Sequence, residues 1–125
     1  MIKPSLPFDF EILYRQGIER LCLRAGEKVF REEDPVTFMF VVLTGKIQIV
    51  THGTVLENVG PGGIFGEMAL IDDGERSASA IAIEDSEVAP IDRAAFLVLI
   101  RNEPEFAIYV MRTLVRRIRN MNYQM

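Results

Sequence analysis

Short runs of strand-forming residues, each closed by turn residues at nearly regular intervals, fill the chain from about residue 18 to 92 and narrow its fold more than any other feature. IERLCLR is broken at Ala25-Gly26, and Lys28-Val29-Phe30 runs into Glu32-Glu33-Asp34-Pro35. TFMFVVL, residues 37–43, stops at Thr44-Gly45. KIQIVT, residues 46–51, alternates apolar and polar side chains and stops at His52-Gly53. TVLENV leads into the glycine-rich GPGGIFG, SASAIAIE (77–84) ends at Asp85-Ser86, and EVAPID (87–92) hands over to Arg93. Strands this short, spaced this evenly, indicate an all-β barrel or sandwich. A doubly wound sheet would need strands alternating with helices, and that alternation is missing. Pro90 cannot donate to a ladder, which puts its strand at an edge or a bulge. A length of 125 residues suits one domain, able to bury roughly two-thirds of its unfolded surface.

Helical periodicity brackets the strands. FDFEILYRQ, residues 8–16, can form a short helix with Phe8, Ile12 and Leu13 on one side. From residue 93 the period changes again: RAAFLVLIRN carries Phe96, Leu97 and Ile100, and Pro104 suits the first turn of a second helix reaching at least residue 121. In that helix Ala107, Met111, Leu114, Ile118, Met121 and Met125 are spaced 4, 3, 4, 3, 4, a heptad seam. Phe106, Tyr109, Val110 and Val115 form another apolar group, expected to pack on the body. Either the seam docks on the domain's own core, or it pairs two copies through Met111, Leu114, Ile118 and Met121. Two apolar faces exceed what one docking surface needs, which favours the dimer helix.

The stretch GPGGIFGEMALIDDGERSASA, residues 60–80, carries the chemistry. Gly60, Gly62, Gly63 and Gly66 free the backbone for close approach to a ligand. A helix starting near Gly66 would aim free N–H groups and a positive dipole end at an anion. Glu67 at that start can accept from a ligand hydroxyl. Arg76 offers a planar donor fork matched to two phosphate oxygens. Ser77 adds a hydroxyl, and Ala78, Ser79 and Ala80 leave room for a flat ligand. The ligand so described has a phosphate with a ribose hydroxyl nearby. The plainer alternative is a turn followed by a solvated arginine among Asp72, Asp73 and Glu75.

Phe65, Gly66, Glu67, Ala69, Leu70, Arg76, Ser77 and Ala78 resemble the phosphate-binding cassette of cyclic nucleotide-binding domains, F-G-E-x-A-L, a spacer, then R-[S/T/A]-A. LRAGEKVFREEDPVTFMFVVLTGKIQIV looks like that family's early strands, with Gly26 and Gly45 linking them, and SEVAPIDRAAF like its last strand and following helix. The resemblance implies a mainly β fold. It would be an eight-stranded antiparallel β-roll, or double-stranded jelly roll, over 18–92, with the cassette at 63–78, a short N-terminal helix at 8–16 and C-terminal helices at 93–125. It also implies that Arg76 binds the cyclic phosphate and Glu67 the ribose 2′-hydroxyl. Gly66, Met68, Ala69, Ser77 and Ala78 would line the cassette with them, and Phe65 lies alongside. Gly63, where an acid is more usual, and Ile64, where an aromatic is, depart from the pattern without removing a ligand contact. In bacterial members the C-terminal helix covers the base. Here that places Arg117 near the pocket or Glu67, and Met121 and Asn122 at base-reading positions, of which Asn122 alone hydrogen-bonds well.

The expected ligand is cAMP, or cGMP as the less favoured choice, with no catalytic residue, no metal and no other cofactor. His52 lies in a turn and Cys22 has no disulfide partner, so neither forms a catalytic pair. A net charge of −4, with the basic residues Arg112, Arg116, Arg117 and Arg119 gathered in the last helix, argues against a nucleic-acid partner. No apolar run approaches the ~20 residues of a membrane span, the N-terminus does not read as a signal peptide, and the lone cysteine fits a cytoplasmic location. The chain ends where a DNA-binding module would follow, so a stand-alone sensor acting through a homodimer or a protein effector is expected. The competing expectation is a ligand-blind interaction module that keeps the roll and works through its last helix.

Overall fold

The computed structural model describes residues 9–71, 74 and 76–123, with the backbone alone for 121–123. Helix α1 (Glu11–Arg15) precedes eight strands: β1 (Leu21–Leu23), β2 (Lys28–Phe30), β3 (Met39–Thr44), β4 (Ile47–Thr51), β5 (Thr54–Val59), β6 (Ile64–Phe65), β7 (Ser79–Ala82) and β8 (Ser86–Ile91). A single 3₁₀ turn, Glu67–Leu70, separates β6 from β7, and helices α2 (Arg93–Asn102) and α3 (Pro104–Tyr123) follow. The strands pair antiparallel in two four-stranded sheets, ordered β1-β8-β3-β6 and β2-β7-β4-β5. The chain is therefore the eight-stranded β-roll with flanking helices that its sequence implies.

Two apolar clusters lie on opposite faces of the first sheet. Leu23, Phe40, Val42, Ile47, Val59, Phe65, Ala80, Ala82 and Val88 fill the space between the sheets. Met39, Val41, Ile64, Ala89 and Ile91 point the other way and meet Phe10, Ile12, Leu13, Leu99, Phe106 and Val110 from the helices. A strand covered on both faces needs apolar residues at every position, which is why β3 reads Met-Phe-Val-Val without alternation. Each large side chain buried this way contributes about 1.5–3 kcal/mol. Opposite Phe40 and Phe65, whose rings stack at 5.1 Å, β7 presents Ala80 and Ala82. The small-residue alternation thus makes room for the aromatic core, and at its start Ser77 and Ala78 border open space.

Several elements differ from the sequence expectation. The glycine-rich segment contains β6, a two-residue strand hidden between glycines. The helix expected from Gly66 is a single 3₁₀ turn, too short for a summed dipole to matter. Strand β8 is internal in the sheet order, yet β1 ends opposite Val88, so Pro90 pairs with Phe40 of β3 beyond the reach of β1. Its missing N–H is tolerated there without an edge strand. Gly45, with φ +87°, turns β3 into β4 so tightly that a Cβ would sit 2.1 Å from Ser86 Oγ. Phe8 lies outside the described residues; its neighbour Phe10 is buried with Ile12 and Leu13.

The two faces of α3 divide differently from the expected seam. Phe106, Val110 and Leu114, four residues apart, face the core, with Tyr109 beside them. The exposed apolar row is Ile108, Met111, Val115 and Ile118. Leu114 and Val115 therefore exchange the roles expected of them, and Ala107 is half-buried. The reason is geometric: a straight helix drifts about 20° per heptad against a 3.5-residue repeat, so spacing alone does not decide which of two adjacent residues turns inward. Of the seam positions, Met111 and Ile118 do face solvent. The side chains of Met121 and Asn122, and the whole of Met125, lie outside the described residues.

Candidate functional site

Arg76 sits at the centre of the site, with 8% of its surface exposed. The loop between β2 and β3 clamps its main chain: Arg76 N–H donates to the Asp34 carbonyl at 2.8 Å, and Glu33 N–H donates to the Arg76 carbonyl at 2.9 Å. Its guanidinium lies over the Phe30 ring, 4.1 Å from the centroid, on the aromatic floor that Phe30, Phe40 and Phe65 build between the sheets. Nη1 donates to the Gly66 carbonyl at 3.1 Å, and Nη2 to the Phe38 carbonyl. Nε is buried and has no hydrogen-bond partner. No ion pair joins Arg76 to a carboxylate among the described residues. Burial pushes the guanidinium below the usual arginine range, and the charges of Glu67 and Asp34 act in the opposite direction.

Gly66 brings the turn up to this arginine. Its φ is +73°, and a Cβ there would lie 2.8 Å from Arg76 Nη1 and 3.2 Å from the Phe38 carbonyl oxygen. The positive φ favours glycine, and a Cβ would have to displace the Arg76 fork and press on the Phe38 carbonyl. The turn it caps then presents Glu67 to the cavity and Met68 at its exposed rim.

Arg117 of α3 closes the far side. Its Nε lies 3.2 Å from Glu57 Oε2, its Nη1 donates to Glu67 Oε1, and its Nη2 donates to the Ile64 carbonyl. Two turns earlier on the same side of the helix, the Tyr109 hydroxyl donates to the Gly62 carbonyl. Burial raises the Tyr109 phenol above its usual range. One helix side thus holds both ends of the glycine-rich segment.

Together these groups enclose a cavity of about 610 Å³, within the range of small-molecule sites. Of the residues expected from the sequence, Phe65, Gly66, Glu67, Met68, Arg76, Ser77, Ala78 and Arg117 line it. Ala69 does not; its N–H closes the 3₁₀ turn on the Gly66 carbonyl at 3.2 Å. The sequence reading missed the apolar wall of Phe30, Val36, Ile49 and Leu56, and two polar groups, Glu57 and Asn120. TVLENV of β5 does not alternate and so does not flag Glu57, whose place beside the wall residue Ile49 of β4 is set by strand pairing. Asn120 precedes Met121 and Asn122 by less than one helical turn, a phase that only the helix's docking fixes.

Residues 20–103 match the model of the family described as the cyclic nucleotide-binding domain. A protein of Thermus thermophilus named cyclic AMP receptor protein is 38% identical over 112 residues, covering 86% of this chain and 52% of that protein. The crystal structure of Thermus thermophilus catabolite activator protein superposes with a TM-score of 0.77 at 34% identity, covering 94% of this chain and 58% of the other. A further structure, described with a cyclic-GMP-dependent signalling pathway that regulates bacterial phytopathogenesis, gives a TM-score of 0.74 at 30% identity, covering 89% of this chain and 92% of the other. The chain spans about half the length of the curated relatives it matches. A family match over most of the described roll, around a cavity built from the same cassette, means that this chain belongs to the cyclic nucleotide-binding domain family, related to the regulators of the cyclic AMP receptor type.

Proposed function

We propose that the chain is a sensor that binds a cyclic nucleotide, cAMP in preference to cGMP, between Arg76 and Glu67, and that signals by repositioning α3 against a dimer mate or a protein effector. The observation that carries this reading is the state of Arg76: a buried cation whose Nε has no partner and which no described carboxylate pairs. Burying a cation without a direct ion pair is costly, the charges of Glu67 and Asp34 offset that only in part, and an arriving monoanionic phosphodiester would offset more of it. The fork that now holds two carbonyls is matched to phosphate oxygens, and Ser77 lies beside it. Glu67 keeps acceptor capacity for a ribose hydroxyl while Arg117 occupies its Oε1, because a carboxylate offers about four acceptor positions. Gly66, Met68 and Ala78 complete the contact surface, with Ala69 acting through the turn. The name of the Thermus relative supports the adenine nucleotide, and the cyclic-GMP-related structure keeps the guanine nucleotide in the test.

Calorimetric titration with each nucleotide tests the reading. Binding of cAMP tighter than cGMP is expected, and no binding of either at millimolar concentration rejects it. At 100 times its dissociation constant the ligand should add ~2.7 kcal/mol of stability, seen as a raised melting temperature. A ligand-blind interaction module would show no such rise. For the output, the exposed row of Ile108, Met111, Val115 and Ile118 is the surface a second copy would cover. Sedimentation of Ile118→Glu as a monomer, with the native protein a dimer, supports that part. Dimers in both would reject it.

A further inference from the structure

Glu57 has no part in the function proposed above, yet it borders the cavity and holds Arg117. We propose that Glu57, on β5, is a positioning residue for the hydroxyl grip: it fixes the Arg117 fork, and Arg117 in turn holds the Glu67 carboxylate in the orientation that accepts a ligand hydroxyl. The inference rests on the cyclic nucleotide reading and deepens it.

A guanidinium is planar, so two anchored nitrogens determine where the third points. Arg117 is anchored at Nε by Glu57, 3.3 Å from Oε1 and 3.2 Å from Oε2, and at Nη2 by the Ile64 carbonyl. Nη1 is then directed at Glu67 Oε1. The chain of contact runs from β5, through a side chain of α3, to the 3₁₀ turn. It joins three elements that make no other polar side-chain link with one another among the described contacts. The charges also balance: Glu57 and Glu67 face Arg76 and Arg117 around one cavity, so a ligand anion enters a site without net negative charge. Without Glu57, Arg117 keeps a long, flexible side chain with one carbonyl and one carboxylate, and Glu67 loses the constraint that orders it. Glu67 itself is 21% exposed in its side chain, free enough to need such a constraint. The sequence pattern of the family's cassette contains Glu67 and Arg76 but not Glu57, so the positioning role belongs to this chain's own β5.

The test compares the ribonucleotide with its 2′-deoxy analogue, which lacks the hydroxyl, by calorimetry on the native chain, Glu57→Ala and Glu57→Gln. The native chain should bind cAMP about tenfold or more tighter than 2′-deoxy-cAMP, the size of one hydrogen bond to a charged group. Glu57→Ala should weaken cAMP by roughly five- to tenfold while changing the deoxy analogue less than about twofold. Glu57→Gln keeps an acceptor for Nε and should recover part of the loss. Equal weakening of both ligands would mean a general structural or charge effect and overturns the proposal, as does no weakening of either. Native binding with equal affinity for both ligands overturns the hydroxyl grip while leaving nucleotide binding intact. Failure of the native chain to bind cAMP or cGMP overturns the proposed function and this inference together.

Discussion

Two arginines border the same cavity and are held in opposite ways. Arg76, from the segment before β7, is buried on an aromatic floor, with main-chain carbonyls and ring faces as its described partners. Arg117, from α3, has 22% of its side chain exposed and engages two carboxylates and a carbonyl. The difference separates an arginine that no described carboxylate pairs directly from one that two carboxylates hold. Carbonyls orient a guanidinium without neutralising it, which is what the proposed role of Arg76 as the anion site requires. Carboxylates neutralise it, so Arg117 serves as a tie between elements. The sequence left a solvated ion pair open as the plainer alternative for Arg76, which follows Asp72, Asp73 and Glu75, whereas the acids that hold Arg117 are distant in the chain.

The contrast is broken most severely at Arg76. Arg76→Ala removes the anion's counter-charge and should lower nucleotide affinity at least 100-fold, ~2.7 kcal/mol, by calorimetry. Arg76→Lys keeps the charge without the fork and should recover only part of that. An Arg76→Ala variant that folds and still binds with native affinity would show that Arg76 is not the anion site.

Gly66→Ala tests whether the seat of Arg76 is as tight as its geometry states. The added Cβ meets Nη1 at 2.8 Å and the Phe38 carbonyl at 3.2 Å, at a φ of +73°. A destabilisation of about 1–3 kcal/mol is expected from denaturant unfolding, with nucleotide affinity reduced beyond what the lost stability explains. Native stability in this variant would mean that the turn relaxes away from the arginine.

How far the sequence revealed this contrast depends on the range of the interactions. The cassette is local: Gly66, Glu67, Arg76, Ser77 and Ala78 fall within thirteen residues, and their residue types name their chemistry. An all-β barrel or sandwich was legible because turn residues punctuate the strands, and the resemblance to the family narrowed it to the roll. What stayed hidden is set by packing at a distance. The floor under Arg76 joins Phe30, Phe40 and Phe65 from three strands, and no spacing announces that. Glu57 and Arg117 are 60 residues apart. The choice of Leu114 over Val115 as the inward residue is a matter of helix phase, fixed where Phe106 and Val110 dock. Small residues after Arg76 suggested ligand space, and beyond Ala78 they prove to be complements to phenylalanine.

At the matched arginine the expected effects are smaller. Arg117→Gln removes partly exposed ion pairs, which are typically worth up to about 1 kcal/mol, and the loss should shrink further at high salt. The effect of Arg76→Ala on folding should barely respond to salt, because that side chain is buried. Unfolding both variants at low and high ionic strength checks the distinction. Equal salt response in the two would erase it.

Tyr109, the neighbouring anchor of α3, carries an effect of similar size and a pH signature. Its phenol donates to the Gly62 carbonyl, and burial, the largest cause, holds its ionisation above the usual value near 10. A raised folded-state value means that the native state keeps the proton longer than the unfolded chain does. The stabilisation is therefore complete below pH ~10 and is lost as pH rises through the folded value. Tyr109→Phe removes the hydroxyl's hydrogen bonds, that to the Gly62 carbonyl and that with the Thr113 side chain, at about 1 kcal/mol each at neutral pH. It also removes this residue's share of the alkaline loss, so the two stability curves should converge above pH ~10. Parallel curves across that range would mean that the Tyr109 proton is no better held in the folded protein than in the unfolded one.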